Sequence, residues 1–201
     1  QMPFPGPPPS VPDRNPTGVH RRTVTLPAAW AGQRLVLHVA GAETVLYVHV
    51  DGRPVAMGKD SRLPHEVDLT GVVEPGVAFD LALTVVRWSE ATYLEDQDHW
   101  HHAGLHRSVF VYATAPVHVA DVHATADLDP LTGHGHLRAV VHVGVDGAGP
   151  AGWSVRVAVG DHEGTTDVRF EHPTDPFPNW FFFQGRQAVV EVMLNSPLIS
   201  D

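Results

Sequence analysis

The sequence predicts an all-β fold, and three observations carry this prediction. Valine is abundant, and 18 glycines and 18 prolines are spread along the chain, which is typical of many short turns. Short apolar runs alternate with polar residues, whereas no apolar repeat of 3.6 residues reaches a useful length. Asp51-Gly52 lies between two such runs and predicts a tight hairpin, because both central positions favour a positive φ.

The first part of the chain is expected to form one β-sandwich. Residues 1–16 are predicted to be loop, since their many prolines cannot donate hydrogen bonds to a sheet. Strands are expected after this loop at residues 20–26, 34–39, 45–50, 53–57, 65–69, 79–88 and 108–113. Short strands with turns between them indicate two sheets that each bury one face. No helix is expected in this part.

A second set of strands begins after Ala115-Pro116, which divides the chain into domains 1–115 and 116–201. Its strands are expected at residues 117–127, 136–145, 153–160, 168–171 and 188–194. Their spacing fits an immunoglobulin-like β-sandwich. About five strands would leave such a sandwich with an exposed edge, so we expect the second domain to be incomplete and the chain to be a fragment.

Composition excludes several kinds of partner and site. The formal net charge is −10 and Lys59 is the single lysine, which argues against a nucleic-acid partner. No apolar stretch approaches the roughly 20 residues that span a bilayer, so no membrane association is expected. The chain has no cysteine, which excludes disulfides and thiolate metal sites. Its 15 histidines suggest metal binding or pH sensing, but a compositional bias that also favours Ala, Val, Arg and Asp would produce the same excess and is the favoured explanation.

Residues 92–107, TYLEDQDHWHHAGLHR, are the candidate functional segment. Asp96, Gln97 and Asp98 offer several acceptors to sugar hydroxyls or to a hard cation. The structural alternative is that the two acids cap turns or pair with Arg107. Trp100 either stacks on the apolar face of a sugar ring or fills the core, and the residues alone slightly favour the core.

The four histidines of this segment resemble a zinc cluster, but their spacing does not support one. In an extended chain His99 and His101 share a face while His102 points away from them. The helical zinc-binding motif has two histidines four residues apart with a glutamate between them. This motif does not occur in the segment, His106 included. A metal role for these histidines is therefore not favoured.

Five motifs occur together in one order: NPTG (15–18), GAETVLYVHVDG (41–52), KDSRLPHEVDLT (59–70), VVRWS (85–89) and YLEDQDHWHHAGLHRSV (93–109). In this order they resemble the amino-terminal part of the long bacterial β-galactosidases of glycoside hydrolase family 2. The resemblance runs from about residue 10 to residue 125 and continues more weakly beyond it.

The resemblance implies a domain order and an activity. Residues 1–115 would be a sugar-binding jelly-roll domain without its first strand or strands, and residues 116–201 a partial immunoglobulin-like domain. A TIM barrel absent from this chain would follow. Family members hydrolyse terminal β-galactosides with retention, using two carboxylates roughly 5–5.5 Å apart. Both lie on that barrel, so this chain would carry no catalytic residue and would be inactive alone, supplying a wall of the galactose pocket.

The resemblance also implies site residues. Asp98, the second aspartate of the DQD motif, would contact sugar hydroxyls and help to hold a sodium ion. Glu43 falls where some relatives place a substrate-contacting residue, and Trp100 completes the predicted substrate contacts. Arg62 and Arg107 are expected to tie loops together through hydrogen bonds to carboxylates. Sodium and magnesium ions belong to the parent enzyme, and neither is expected to be required for this chain to fold.

The expected partner is a galactoside substrate, in a cytoplasmic enzyme that forms a homo-oligomer. Two other classes of function stay open. The chain could be a carbohydrate-binding module that acts alone, or its proline-rich arm and first domain could mediate assembly. Within the family, a β-glucuronidase or β-mannosidase is an alternative, although the DQD-x-W pattern favours galactosides.

Overall fold

The computed structural model describes residues 4–95, 98–145, 152–168 and, as backbone, 186–197. The chain forms two compact units, Gln1–Ala113 and Thr114–Asp201, whose division falls close to the boundary predicted between residues 115 and 116. Strands and their connections make up almost all of the described residues, which confirms the all-β prediction. None of the helices in the described ranges is long and apolar enough to cross a membrane.

The first unit is a β-sandwich. Its described strands are β1 (Thr17–Thr25), β2 (Arg34–Val39), β3 (Ala42–Glu43), β4 (Val45–Val50), β5 (Arg53–Lys59), β6 (His65–Asp68), β7 (Ala78–Val86), β8 (Gly104–Leu105) and β9 (Val109–Thr114). One sheet has the order β1-β7-β4-β5, a second has the order β6-β2-β9, and β3 pairs with β8. The strands predicted at residues 34–39 and 45–50 are confirmed at both ends.

The alternating apolar side chains of the two larger sheets meet in one core. Leu81, Leu83 and Val85 of β7 are buried, while the residues between them are half-buried. Leu35 and Leu37 of β2, in the other sheet, belong to the same cluster. Full burial of such side chains contributes roughly 1.5–3 kcal/mol each, so this core fixes the edges from which the connecting loops leave.

The predicted hairpin joins β4 to β5. Asp51 and Gly52 have φ values of 49° and 76°, which confirms the positive φ expected of both turn residues. The paired strands run antiparallel from Val50 opposite Arg53 to Val45 opposite Lys59. On its other side β4 pairs with β7, so it is a central strand of its sheet.

Two short helical turns contradict the prediction that the first unit has none. One is a 3-10 turn at Ala28–Trp30, in which the amide of Trp30 donates to the carbonyl of Pro27 at 3.0 Å. The other is α1 (Ala91–Leu94), which follows β7. Both are single turns that close through local hydrogen bonds, and such short pieces leave no apolar repeat in the sequence.

The second unit contains β10 (Val117–Leu128), β11 (His134–Val145), β12 (Ser154–Val159), β13 (His162–Asp167) and β14 (Arg186–Pro197). Their sheets have the orders β10-β11-β14 and β12-β13. Ala139, Val141 and Val143 of β11 are buried together with Val168. The apolar residues that recur at every second position of β11, and that predicted this strand, therefore form its buried face.

The strand predicted at residues 168–171 is wrong at its start. The structure instead forms β13 immediately before it, as a hairpin with β12. Val168 follows β13, and its amide donates to the carbonyl of Trp153 at 2.8 Å. Residues 169–171 lie outside the described ranges. The sequence of β13, HEGTTD, is polar and was missed because backbone pairing rather than an apolar face defines it.

Candidate functional site

The site segment (residues 91–107) leaves the four-stranded sheet at the end of β7 and begins with α1. The hydroxyl of Ser89 accepts a hydrogen bond from the backbone amide of Ala91 at 3.1 Å. The hydroxyl of Thr92 in turn accepts a hydrogen bond from the backbone amide of Ser89 at 3.2 Å. This reciprocal pair satisfies amide groups at the start of a helix. Ser89 and Thr92 are both buried. The beginning of the site segment is therefore fixed to the sandwich.

Glu95 ties the end of α1 to a turn 34 residues earlier in the chain. One carboxylate oxygen accepts the backbone amide of Ser61 at 3.0 Å, and the other accepts its hydroxyl at 2.5 Å. Ser61 is fully buried. Hydrogen bonds to an ionised carboxylate are roughly twice as strong as neutral ones, so this is a firm attachment. Sequence reasoning did not single out either residue, although both lie in the quoted motifs.

Asp98 and Trp100 are exposed. The side chain of Trp100 is 83% exposed, so the option that it fills the core is wrong. Asp96 and Gln97 lie outside the described residues. The structure therefore places one carboxylate and one indole, two residues apart, on the outer surface of the first unit.

His101 turns from this exposed stretch toward the sandwich. Its ring packs edge-on against the indole of buried Trp88, with centroids 5.7 Å apart. Its Nδ1 lies 3.8 Å from Oε1 of Glu43. The exposed pair thus lies between Glu95 on one side and His101 on the other.

Glu43 is buried, with 2% of its side chain exposed, although it was predicted to contact substrate. Its Oε2 lies 3.4 Å from Nη1 of Arg62, which confirms that Arg62 bonds a carboxylate. Arg107 differs from its prediction, because its Nη1 donates to the backbone carbonyl of Arg62 at 2.8 Å. A direct contact between Glu43 and a sugar stays a prediction.

Ser61 and Arg62 belong to the anchor turn (residues 60–63), which the carboxylate of Asp60 closes. One oxygen of this carboxylate accepts the amides of Arg62 at 2.8 Å and Leu63 at 2.9 Å. Aspartate side chains commonly fix turns in this way. The carbonyl of Asp60 lies 3.0 Å from Nε2 of His65 in β6. The anchor turn is therefore held by its own sequence and by the neighbouring strand.

Three histidines of the site segment form a row that the extended-chain argument did not predict. The ring centroids of His99 and His102 are 5.3 Å apart, and those of His102 and His106 are 6.1 Å apart. His102 thus contacts His99 instead of pointing away from it, because the described backbone there is irregular rather than extended. His101 faces elsewhere, toward Glu43.

His106 closes this row against the backbone of Gly41. A Cβ atom at position 41 would lie 2.6 Å from Nε2 of His106, so a side chain there would force the His106 ring to move. Among the described residues, neither ring nitrogen of His106 has a hydrogen-bond partner. Burial, and secondarily the charge of Arg107, lower the pKa of His106 below its ordinary value. The imidazole is thus held in its neutral form.

The proline-rich arm also meets the site segment. The side-chain nitrogen of Asn15 donates a hydrogen bond to the backbone carbonyl of Trp88 at 2.7 Å. The side-chain oxygen of Asn15 accepts a hydrogen bond from the backbone amide of Trp88 at 3.0 Å. Phe4 packs edge-on against Trp88 and Tyr93, at 5.2 and 5.6 Å. The hydroxyl of Tyr93 donates to the carbonyl of Ser10 at 2.7 Å. Asn15 of the NPTG motif therefore links the proline-rich arm to the end of the sheet.

The described residues gather no group of three or more His, Asp or Glu side chains that would hold a metal ion. The exposed carboxylate of Asp98 is an oxygen donor of the type that a hard cation prefers. A sodium ion at Asp98 would therefore not find two further His, Asp or Glu ligands among the described residues.

Comparison with known proteins gives a family match and relatives. Residues 1–115 match the family model described as glycosyl hydrolases family 2, sugar binding domain. A β-galactosidase of Aeromonas hydrophila is 38% identical over 163 residues, which are 80% of this chain and 15% of that protein. A β-galactosidase of Yersinia enterocolitica is 37% identical over 147 residues, 72% of this chain and 14% of that protein. The chain spans about 15% of the length of these curated relatives.

Solved structures share the fold. A family 2 glycosyl hydrolase of Bacteroides cellulosilyticus covers 89% of this chain and 23% of its own, with a TM-score of 0.63 and 17% identity. A β-glucuronidase of Bacteroides uniformis covers 90% of this chain and 22% of its own, with a TM-score of 0.67 and 14% identity. At these identities the similarity concerns the fold alone.

Proposed function

The chain belongs to glycosyl hydrolase family 2 through the sugar-binding domain of that family, and from this premise we propose that its first unit forms a wall of the galactose pocket of a β-galactosidase. The observation that carries the proposal is the exposure of Asp98 and Trp100 on a segment that is attached to the sandwich through Glu95 before them and His101 after them. The relatives named above, which are β-galactosidases, support the choice of substrate.

The two exposed groups suit a galactoside. An ionised carboxylate accepts hydrogen bonds from two neighbouring sugar hydroxyls, and an indole presents an apolar face to the C–H side of a pyranose ring. Hydrolysis with retention needs an acid/base carboxylate and a nucleophilic one. In the proposal both come from a barrel of the longer protein, and this chain binds and orients the terminal sugar. Glu43, the third predicted contact, acts from behind the surface.

The remaining expectations belong to the same proposal. Asp98 would help to hold a sodium ion, which would supply positive charge in the pocket, and magnesium is the second ion expected of the parent enzyme. A cytoplasmic location and a homo-oligomeric state follow from the resemblance. Mass measurement of the longer enzyme tests the oligomeric state.

The deciding experiment is Asp98→Asn in the longer enzyme, with Asp121→Asn as control because Asp121 is exposed and lies in the second unit. Loss of a charged hydrogen-bond acceptor costs roughly 1.5–3 kcal/mol, so kcat/KM for a chromogenic β-galactoside should fall by roughly 10- to 100-fold. Its response to sodium should weaken as well. Unchanged kinetics in the Asp98 variant would remove this residue from the pocket.

Two further measurements separate the proposal from its alternatives. Turnover of a β-glucuronide in preference to a β-galactoside would change the substrate assignment. Titration of the isolated 201-residue chain with galactose tests whether it acts alone. A pocket wall that needs a barrel should give no measurable heat, whereas saturable binding by the chain would identify a carbohydrate-binding module.

A further inference from the structure

We infer that the anchor turn positions the exposed pair Asp98 and Trp100, with Glu95 and Glu43 as the positioning residues that connect it to the two sides of this pair. The restraint itself is a property of the first unit. Its effect on sugar binding rests on the proposed function.

The upstream connection is the bond between Glu95 and Ser61. Both oxygens of the Glu95 carboxylate are engaged by one residue, through its amide and its hydroxyl. Ser61 is fully buried, so water does not compete freely for these bonds. Glu95 lies three positions before Asp98, so the fixed carboxylate is close in the chain to the exposed one.

The downstream connection runs through Glu43. Its two carboxylate oxygens point to different parts of the fold, Oε2 to Arg62 of the anchor turn and Oε1 to His101 of the site segment. His101 directly follows Trp100. The backbone reinforces this link, because Glu43 in β3 pairs with Gly104 in β8. Buried at 2% exposure, Glu43 is placed to hold two loops together.

A third connection closes the anchor turn from outside. Nη1 of Arg107 donates to the carbonyl of Arg62 at 2.8 Å. Arg107 lies at the end of the site segment, and the preceding residue, His106, donates its amide to the carbonyl of Gly41 at 3.3 Å. The same turn thus contacts the site segment before and after the exposed pair.

These connections matter because the exposed pair has little packing of its own. Trp100 is 83% exposed, so its direction depends on the backbone that carries it. A binding group must be held close to its productive geometry before the ligand arrives, or ordering it weakens binding. Ser61, Glu95 and Glu43 therefore orient the binding surface without touching the sugar.

Fluorine NMR of the 5-fluorotryptophan-labelled chain tests this inference without any sugar. The Trp100 resonance is assigned by its loss in Trp100→Phe, and Trp30, which packs against the core, serves as an internal reference. Ser61→Ala and Glu95→Gln should shift and broaden the Trp100 resonance and leave that of Trp30 unchanged. Glu43→Gln should move Trp100 and Trp88, since Trp88 contacts His101.

Matched controls are Ser108→Ala and Glu74→Gln, whose parent residues are exposed. Neither should change the Trp100 resonance. If Glu43→Gln does not fold, Ser61→Ala and Arg107→Ala test the anchor turn from its other sides, and loss of either contact should still move Trp100. A Trp100 resonance unaltered in folded Ser61→Ala and Glu95→Gln overturns the inference.

The inference and the proposed function fail separately. In the longer enzyme, Ser61→Ala should raise KM for a β-galactoside about threefold to tenfold, because one of the two hydrogen bonds to the Glu95 carboxylate is lost and this bond acts on the pocket only indirectly, with a smaller change in kcat. If Trp100 responds to the anchor variants but Asp98→Asn leaves turnover intact, the proposed function fails while the positioning role stands. If Asp98→Asn is impaired but the Trp100 resonance is unchanged in the anchor-turn variants, the positioning role fails.

Discussion

Strand β4 and the site segment belong to the same unit but are stabilised in different ways. β4 pairs along its length with β5 on one side and β7 on the other. Its alternate side chains, among them Leu46 and Val48, are buried in the common core. Within its described residues, the site segment joins a ladder through the two-residue strand β8 alone, opposite β3. Otherwise it is attached at separate points, through Glu95, His101 and Arg107.

This difference predicts which kind of substitution disturbs the structure of each region. A strand held by distributed burial loses stability when apolar volume is removed, whatever the charge of its neighbours. A segment held by a few polar contacts instead loses its conformation when one donor or acceptor is removed, because the buried partner is left unsatisfied. The exposed pair at residues 98 and 100 can be altered with little effect on folding, which leaves it available for binding.

The largest effect should come from the same substitution made in both regions. Leu46 in β4 is 1% exposed and Leu94 in the site segment is 86% exposed. Leu46→Ala should lower the free energy of unfolding by about 3 kcal/mol through lost burial and a cavity. Leu94→Ala should change it by less than about 0.5 kcal/mol. Urea unfolding followed by far-UV circular dichroism measures both, and similar losses would mean that α1 packs against something in solution.

A smaller effect should come from removing a point contact. Glu43→Ala leaves Arg62 without its carboxylate partner and removes a buried side chain, so we expect a loss of about 2 kcal/mol in the same assay. Glu74→Ala, at an exposed position, is the matched control and should be neutral. If Glu43→Ala is as stable as the control, the anchors contribute no measurable stability and the contrast between the two regions weakens.

The sequence predicted the regular region almost completely. Residues 45–50, VLYVHV, are a short and mostly apolar run, and Asp51-Gly52 has the chemistry of a tight turn, so strand and turn follow from neighbours in the chain. The polar strand β13 escaped prediction because its partner β12, rather than its own side chains, defines it. Local patterns thus find elements that have an apolar face.

The site segment was recognised by its density of polar and aromatic residues, but its construction was not. Glu95 bonds a residue 34 positions away and Glu43 one 19 positions away, and no local spacing encodes such pairs. The exposure of Trp100 likewise depends on where the chain leaves the sandwich. The histidine faces were predicted from an extended backbone that does not occur there. Resemblance to a family supplied the candidate residues, whereas the contacts around them required coordinates.

A pH-dependent effect should come from the half-buried ring of His106. Burial, then the charges of Arg107, Arg62 and His102, lower the pKa of His106 below 6.5, while Glu43 opposes them. The folded state therefore binds this proton less readily than the unfolded chain. Stability is complete above the unfolded pKa and falls as the pH drops below about 6.5.

His106→Gln removes this titration and tests it. The difference in unfolding free energy between the wild type and the variant should be constant above pH 7 and should shift against the wild type between about pH 6.5 and 5. A constant difference for His106→Gln over the whole range would show that this ring is protonated as easily in the folded protein as in the unfolded chain.

The smallest effect should come from a charge on the outer face of the regular sheet. In β7, Asp80 accepts hydrogen bonds from Thr23 at 2.9 Å and Arg21 at 3.0 Å, and these lower its pKa below 3.8. Its contribution is therefore present above the unfolded pKa and lost as the pH falls through the folded value. Carbon-13 NMR titration should find the Asp80 carboxyl below 3.8. Because the pair is exposed, Asp80→Asn should barely change stability at neutral pH. A loss as large as that of Glu43→Ala would show that surface contacts stabilise the regular sheet as strongly as buried ones stabilise the site segment.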